Sequence, residues 1–296
     1  MNGLAFYAGP GELCKDTIRL YTSKQDSKWN IESGIIYQEG IIIGDPLCNF
    51  RMFEYGDPEL IEISVLLKQA GVNVIYQTPL YVTERNISLV QQQIRFMYDR
   101  AEVKVYLVQD IGLLNWIKTQ FSDVYLIWSR MGFGRGALIN EPFVHFLRDI
   151  GIHGLETNRI ELLRVLPQMG IDPWPVCRYR TWKSVCRECY SRYMDGRFSG
   201  DCDRLCRNPN KRMKLISIPL GERRLDTNSP DRPDGSSFSM NIDGHFLGES
   251  FVYTDNIAFI KAAIELERPV LFYGKNMEEI IDYERKFVQH SISDTL

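Results

Sequence analysis

The run Asp57-Pro-Glu-Leu-Ile-Glu-Ile-Ser-Val-Leu-Leu-Lys-Gln-Ala-Gly-Val-Asn-Val-Ile-Tyr-Gln77 holds a helix and a strand with a single glycine between them. Asp57 suits an N-cap, and Pro58 suits the first helical position, where its missing N–H would have had no partner anyway. Gly71 then supplies the stop. The strand that follows, 72–77, is almost continuously apolar, which is the composition of a strand covered on both faces. The same alternation recurs over the first 175 residues. Strands are expected at 4–8, 40–44, 103–108, 124–128 and 151–155, and helices at 83–98, 141–149 and 157–169. In the first of these helices Ile87, Leu89, Val90, Ile94 and Met97 fall close to the helical period. Strand–helix alternation of this kind predicts parallel βα units joined by right-handed crossovers.

The rhythm breaks at Pro173. From there to about Pro219 the chain is rich in Cys, Arg, Tyr and Gly and shows no clear period. A strand pattern resumes at 215–220, a turn-rich loop covers 227–235, and helix, strand and helix follow at 254–267, 269–273 and 277–287. The expected fold is α/β: one TIM-barrel-like (β/α)8 domain over 1–296, or an irregular version of it. A Cys-rich metal-binding segment at 174–214 is set within that domain.

Composition narrows the function classes. The 296 residues are 44% hydrophobic and 25% charged, ordinary globular values, and the net charge of −3 gives nucleic acid no general electrostatic attraction. The one basic stretch, 204–214, reads as a solvated loop. No run of eighteen apolar residues exists, so no membrane span is expected. The first ten residues lack a charged n-region followed by an apolar core, so no export signal is read there and the cytoplasm is the expected compartment. Seven cysteines in such a chain predict reduced thiols available to a metal rather than a disulfide framework.

Five of the seven lie within thirty residues: Cys177, Cys186, Cys189, Cys202 and Cys206. The last four, C-x2-C-x12-C-x3-C, have a spacing suited to one tetrahedral zinc, and thiols this dense also suit an iron–sulfur cluster. A sixth, Cys48, falls just past an early expected strand in Gly44-Asp-Pro-Leu-Cys-Asn-Phe-Arg51. Functional side chains of (β/α)8 barrels collect at that strand end, although a lone cysteine there is more often an inert core residue.

The segment 44–51 resembles the Gly-Glu-x-x-Cys-x-x-Arg segment of UbiV-type members of the collagenase-like peptidase family. Cys189-Tyr-Ser-Arg with Gly200-Asp-Cys-Asp-Arg-Leu-Cys206 is similar to their Cys-x12-Cys-x3-Cys block. The resemblance covers most of 1–220 and fades beyond. It implies a [4Fe–4S] cluster on Cys48, Cys189, Cys202 and Cys206; Cys177 and Cys186 depart from the pattern, as spare core thiols or as ligands in place of Cys48 or Cys189, and Cys14 is given no role. It further implies an oxygen-independent hydroxylase, or one subunit of one, acting on an aromatic or quinone-precursor-type substrate. Prephenate would be the oxygen donor and a UbiU-like chain the partner. Zinc, a non-catalytic partner subunit and a peptidase of the same family remain the alternatives.

Two residues are candidates for contacting an anionic substrate. Arg51, three positions after Cys48, would either face the mouth and clamp a carboxylate through its fork of donors or serve as a surface or ion-paired arginine. Glu156 falls where UbiV-like chains carry a glutamate, between an expected strand and helix. That is the place for a proton-transferring or substrate-orienting carboxylate, or for a charge complementing a helix N-terminus. His145 is expected to be structural. His153 is expected at the start of a strand, either facing the barrel or satisfied in the core. Asp110 and Asp123 read as strand- or turn-end acids without evident partners. Gly132-Phe-Gly-Arg-Gly136 lacks both the dinucleotide fingerprint and the P-loop lysine.

Overall fold

The computed structural model describes residues 3–8, 30–31, 34–35, 37–44, 57–69, 73–79, 82, 84, 86–129, 139–181, 184–185, 214–215, 240–243, 246–247, 250–253, 262, 266 and 270–273. The chain divides into two compact units, Met1–Arg178 with Thr254–Leu296, and Tyr179–Tyr253.

The first unit is built on a curled, parallel sheet. Its strands are β1 Gly3–Ala8, β2 Tyr37–Gly44, β3 Asn73–Gln77, β4 Val105–Val108, β5 Tyr125–Trp128, β6 Gly154–Thr157, β7 Asp172–Thr181 and β8 Val270–Tyr273. Parallel ladders join β1 to β2, β2 to β3, and so on through β6 to β7. Two more join β7 to β8 and β8 to β1. Five successive crossovers carry described helices: α1 Asp57–Gln69, α2 Ile87–Asp99, α3 Ile111–Gln120, α4 Glu141–Asp149 and α5 Ile160–Val165. The last of these continues as a 3-10 turn, Leu166–Met169, and stops at Gly170, whose φ of +76° is left-handed. A short antiparallel pair, Asn30–Ile31 with Gly34–Ile35, precedes β2. The second unit contains an antiparallel sheet ordered Ser184–Val185, Phe246–Leu247, Met240–Asp243, Lys214–Leu215.

Several boundaries depart from the sequence expectation, each for a local reason. Helix α3 was not expected. Asp110 caps it by accepting a 2.8 Å hydrogen bond from the Leu113 N–H, and Leu113, Leu114 and Ile117 form its buried face. Helix α2 starts at Ile87 rather than at 83. Strand β6 runs from Gly154 to Thr157, later than expected. Gly151, at φ +94°, is taken up in the end of α4, its N–H bonding to Arg148 O at 2.9 Å. The helix expected from 157 is correspondingly delayed to Ile160. The largest correction is β7, a ten-residue strand running straight through the break expected at Pro173. Pro173 and Pro175 lack donors, but β7 first pairs with β8 at Val176, so no ladder bond toward β8 is lost at the prolines.

The two faces of the sheet differ. On the helix side Ile41, Ile43, Tyr76, Tyr106, Val108, Leu126, Trp128 and Leu155 pack with Ile63, Leu67, Ile94, Met97, Leu114, Ile117, Leu147 and Leu163 in one apolar core. Strand alternation sends Ile42, Ile75, Leu107 and Ile127 to the opposite, concave face, where they are also buried. No helix among the described residues is long and apolar enough to cross a membrane.

Candidate functional site

Two residues beyond each of those concave-face side chains, every strand changes chemistry. Gly44 follows Ile42, Gln77 follows Ile75, Gln109 follows Leu107 and Ser129 follows Ile127, while on β6 Glu156 follows Gly154. The period of two keeps each residue on the face of its predecessor. The ladder fixes their heights: Gly44 and Gln77 are level with Leu107, Ile127 and Gly154. Gln109, Ser129 and Glu156 therefore form one layer at the C-terminal strand ends, and Trp174 of β7 is level with Glu156. Gln77, Ser129 and Glu156 are fully buried and Gln109 is 5% exposed.

Hydrogen bonds stitch the layer together. Thr78 extends the β3–β4 ladder, donating its N–H at 2.9 Å and its hydroxyl at 3.3 Å to Leu107 O. Gln109 Nε2 donates to Thr78 O at 2.7 Å. The Ser129 N–H donates to Val108 O at 2.9 Å, and its hydroxyl donates to Glu156 Oε2 at 2.6 Å. A carboxylate wholly out of water is costly to bury unless polar partners surround it, and Ser129 supplies one such partner. Gly44 closes the β2 end against β3. Its φ is +147° and a Cβ would stand 2.2 Å from Gln77 O, so glycine alone fits.

Of the expected site residues, Glu156 is the one the described residues include. It lies on a strand with its side chain buried, and α5 starts only at Ile160 with Glu161 in its first turn. The helix-terminus reading of Glu156 is thereby set aside. Cys48, Arg51, Cys189, Cys202 and Cys206 lie outside the described residues, as do Cys14, Cys186 and the 132–136 glycine segment. Cys177 falls on β7. Among the described residues no three His, Cys, Asp or Glu side chains gather as a metal site.

Below this layer, at the N-terminal strand ends, the Tyr125 hydroxyl donates to Asp172 Oδ2 and lies 3.5 Å from Trp174 Nε1. His153 is exposed there rather than facing the sheet interior, stacked on Tyr125 at 5.0 Å. Its Nδ1 accepts the Leu126 N–H at 3.0 Å. Partial desolvation of the stacked ring lowers the His153 pKa, Asp172 opposes that, and Lys118 adds to it. His145 pairs with Glu141 at 3.5 Å along α4, the structural role expected. Asp123 has partners that the sequence did not suggest, Lys104 Nζ at 2.9 Å and the Tyr98 hydroxyl at 2.5 Å.

Sequence reasoning missed Gln77, Thr78, Gln109 and Ser129. Their signal was available: Gln77-Thr78, Gln109-Asp110, Ser129-Arg130 and Glu156-Thr157 each place polar residues at the end of an apolar strand run.

No protein-family model matches the sequence, and no curated protein matches it. Among solved structures, the chain is similar to a U32 peptidase at 10% identity, covering 93% of this chain and 94% of that one with a TM-score of 0.47. It is similar to a xylose isomerase domain protein from Planctomyces limnophilus at 12% identity, covering 99% and 89% with a TM-score of 0.35. A D-psicose 3-epimerase determined with D-fructose is similar at 13% identity over 55% of this chain and 66% of that one, TM-score 0.33.

Proposed function

We propose that this chain is a cytoplasmic iron–sulfur protein on a (β/α)8-type scaffold, of the UbiV-like kind in the collagenase-like peptidase family. It hydroxylates an aromatic or quinone-precursor-type substrate without dioxygen, alone or with a UbiU-like partner, and takes its oxygen from prephenate. The ladders from β6 through β7 and β8 back to β1 support the scaffold. One observation carries the reading: Glu156 is a fully buried carboxylate at the C-terminal end of a parallel strand, held by a serine hydroxyl at 2.6 Å. Barrel enzymes place their reacting groups at that strand end, and a positioned carboxylate can move a proton or orient a substrate there.

The donor set suits a cluster, since four thiols are the ligands such clusters take. Cys48 stands four residues past Gly44 at the end of β2, and four residues reach at most about 14 Å. Cys189, Cys202 and Cys206 belong to the sequence of the second unit. When bound, the cluster supplies a redox centre. Arg51, seven residues past Gly44, supplies a fork of donors for a carboxylate of the substrate.

Anaerobic purification with iron and sulfide counting tests the reading. The expected product is brown, with a broad band near 400 nm and about four irons per chain. Cys48→Ala should lose that iron, whereas Glu156→Gln should keep it and lose turnover. Colourless protein with one zinc, retained in Cys48→Ala, overturns the proposal. It would favour a zinc-stabilised partner subunit, the reading that the Cys186-x2-Cys189-x12-Cys202-x3-Cys206 spacing supports. Peptide cleavage by metal-free protein would instead favour a peptidase.

A further inference from the structure

The Gln109 carboxamide is oriented by its own chemistry. Its neighbour at 2.7 Å is Thr78 O, a backbone carbonyl that can only accept, so the NH2 group must face β3 and Oε1 must face away. That oxygen is buried and meets no hydrogen-bond partner among the described residues. Buried acceptors are nearly always satisfied, and one left open in a polar layer calls for a donor from elsewhere. Its neighbours in the layer do not provide one: the Ser129 hydroxyl gives its proton to Glu156 Oε2, and Glu156 contributes a carboxylate. Across β4, β5 and β6 the layer therefore sets the Gln109 carboxamide oxygen beside the bonded hydroxyl of Ser129 and carboxylate of Glu156.

We infer that Gln109 Oε1 receives a hydroxyl group of the bound ligand and that Gln109 is a specificity-determining residue of this face. The inference rests on the proposal above that ligand binds at these strand ends, and it adds which chemical group is recognised there. A hydroxyl fits better than an ammonium group. Gln109 is a neutral acceptor, and the spacing of neighbouring strands sets its backbone about 10 Å from that of Glu156, where a cation would be drawn. A six-membered ring bearing a hydroxyl is of the size to meet Gln109 while its body lies toward Ser129 and Glu156. An anionic group is excluded from this part of the layer and must lie elsewhere on the ligand.

The test uses the full chain as purified and three uncarboxylated probes: phenol, its methyl ether anisole, and benzylamine. Dissociation constants come from titration calorimetry or ligand-observed NMR. The hydroxyl probe is expected to bind at least about tenfold more tightly than the ether, because a site built to pair a hydroxyl penalises an analogue that cannot donate. In Gln109→Leu, checked for folding by circular dichroism, that preference should fall to less than about twofold. The wild-type comparison stands by itself if the variant does not fold. Equal affinity for hydroxyl and ether, no binding of any probe, tightest binding of the amine, or a preference that survives Gln109→Leu would each overturn the inference. A zinc-loaded protein that keeps the hydroxyl preference would instead sink the hydroxylase reading and leave this one standing.

Discussion

The hydrogen bond from Ser129 to Glu156 can be weighed directly. Both side chains are fully buried and the oxygens are 2.6 Å apart, so water cannot replace either partner in place. A hydrogen bond to a charged group contributes about 1.5–3 kcal/mol, roughly twice a neutral one. Ser129→Ala should therefore destabilise the first unit by about 1.5–3 kcal/mol, a factor of roughly 10 to 150 in its folding equilibrium. Glu156→Gln keeps an oxygen that can accept from Ser129 and should lose only the charge assistance, about 1 kcal/mol. In the double variant the bond is already gone, so the two losses should fall short of adding by more than about 0.5 kcal/mol. Urea unfolding followed by tryptophan fluorescence measures this. Trp128 adjoins Ser129 in the chain and Trp174 is level with Glu156, so both report on the relevant part of the sheet. Additive losses, or a Ser129→Ala variant as stable as the parent, would mean that the carboxylate is held by other partners and that Ser129 does not position it.

Two further perturbations probe the layer beneath. A Cβ on Gly154 would stand 2.6 Å from Cδ1 and Nε1 of the Trp174 indole, which is itself buried and too rigid to yield cheaply. Gly154→Ala should cost about 1–3 kcal/mol by overpacking, read as a lower urea midpoint, and a neutral outcome would mean that Trp174 can leave the concave face freely. His153 supplies a pH test. Its folded pKa is lowered, chiefly by partial desolvation, so between that value and the unfolded value of about 6.5 the unfolded chain binds more protons. Its contribution to stability is complete above about pH 6.5 and is lost as pH falls through the depressed folded pKa. His153→Asn, which keeps an acceptor and cannot titrate, should flatten the urea midpoint measured between about pH 5 and 7.5; unchanged curvature would assign the pH dependence to other groups.

The parallel α/β class was legible because it rests on patterns with a fixed period. Asp57-Pro58 and Gly71 bracket α1, and apolar runs mark β3, β4 and β5 to within a residue or two. What failed was punctuation. Proline was read as the end of the rhythm at 173, yet β7 tolerates it because β8 pairs only from Val176 onward, a fact of ladder register that no local window contains. Helix α3 was missed although Asp110, Leu113, Leu114 and Ile117 have the spacing of a capped amphipathic helix, because it fills the short interval between two conspicuous strands. Glu156 stands out in the sequence by its position after an apolar run together with the resemblance to chains that carry a glutamate there. Gln77, Gln109 and Ser129 end their strands in the same way, but only the register shows that all of them share Glu156's face.

That shared face bears on why the polar residues are there. Ile42, Ile75, Leu107 and Ile127 already make an apolar concave face, and continuing it for one more layer would bury further hydrocarbon with no polar group to satisfy. Folding stability alone favours leucine or valine at 77, 109, 129 and 156. Instead the chain buries two carboxamides, a hydroxyl and a carboxylate, and leaves Gln109 Oε1 without a partner among the described residues. A local departure from the stable choice, repeated on four adjacent strands and confined to their C-terminal ends, is the pattern expected of a ligand site rather than of a core. On the helix-facing side of the same strands Tyr76, Val108, Trp128 and Leu155 belong to the apolar cluster, with the Tyr76 hydroxyl and the Trp128 indole N–H as their side-chain polar groups. The contrast between two faces of one sheet, on the same strands and near the same ends, therefore separates what holds the fold together from what the fold holds in place.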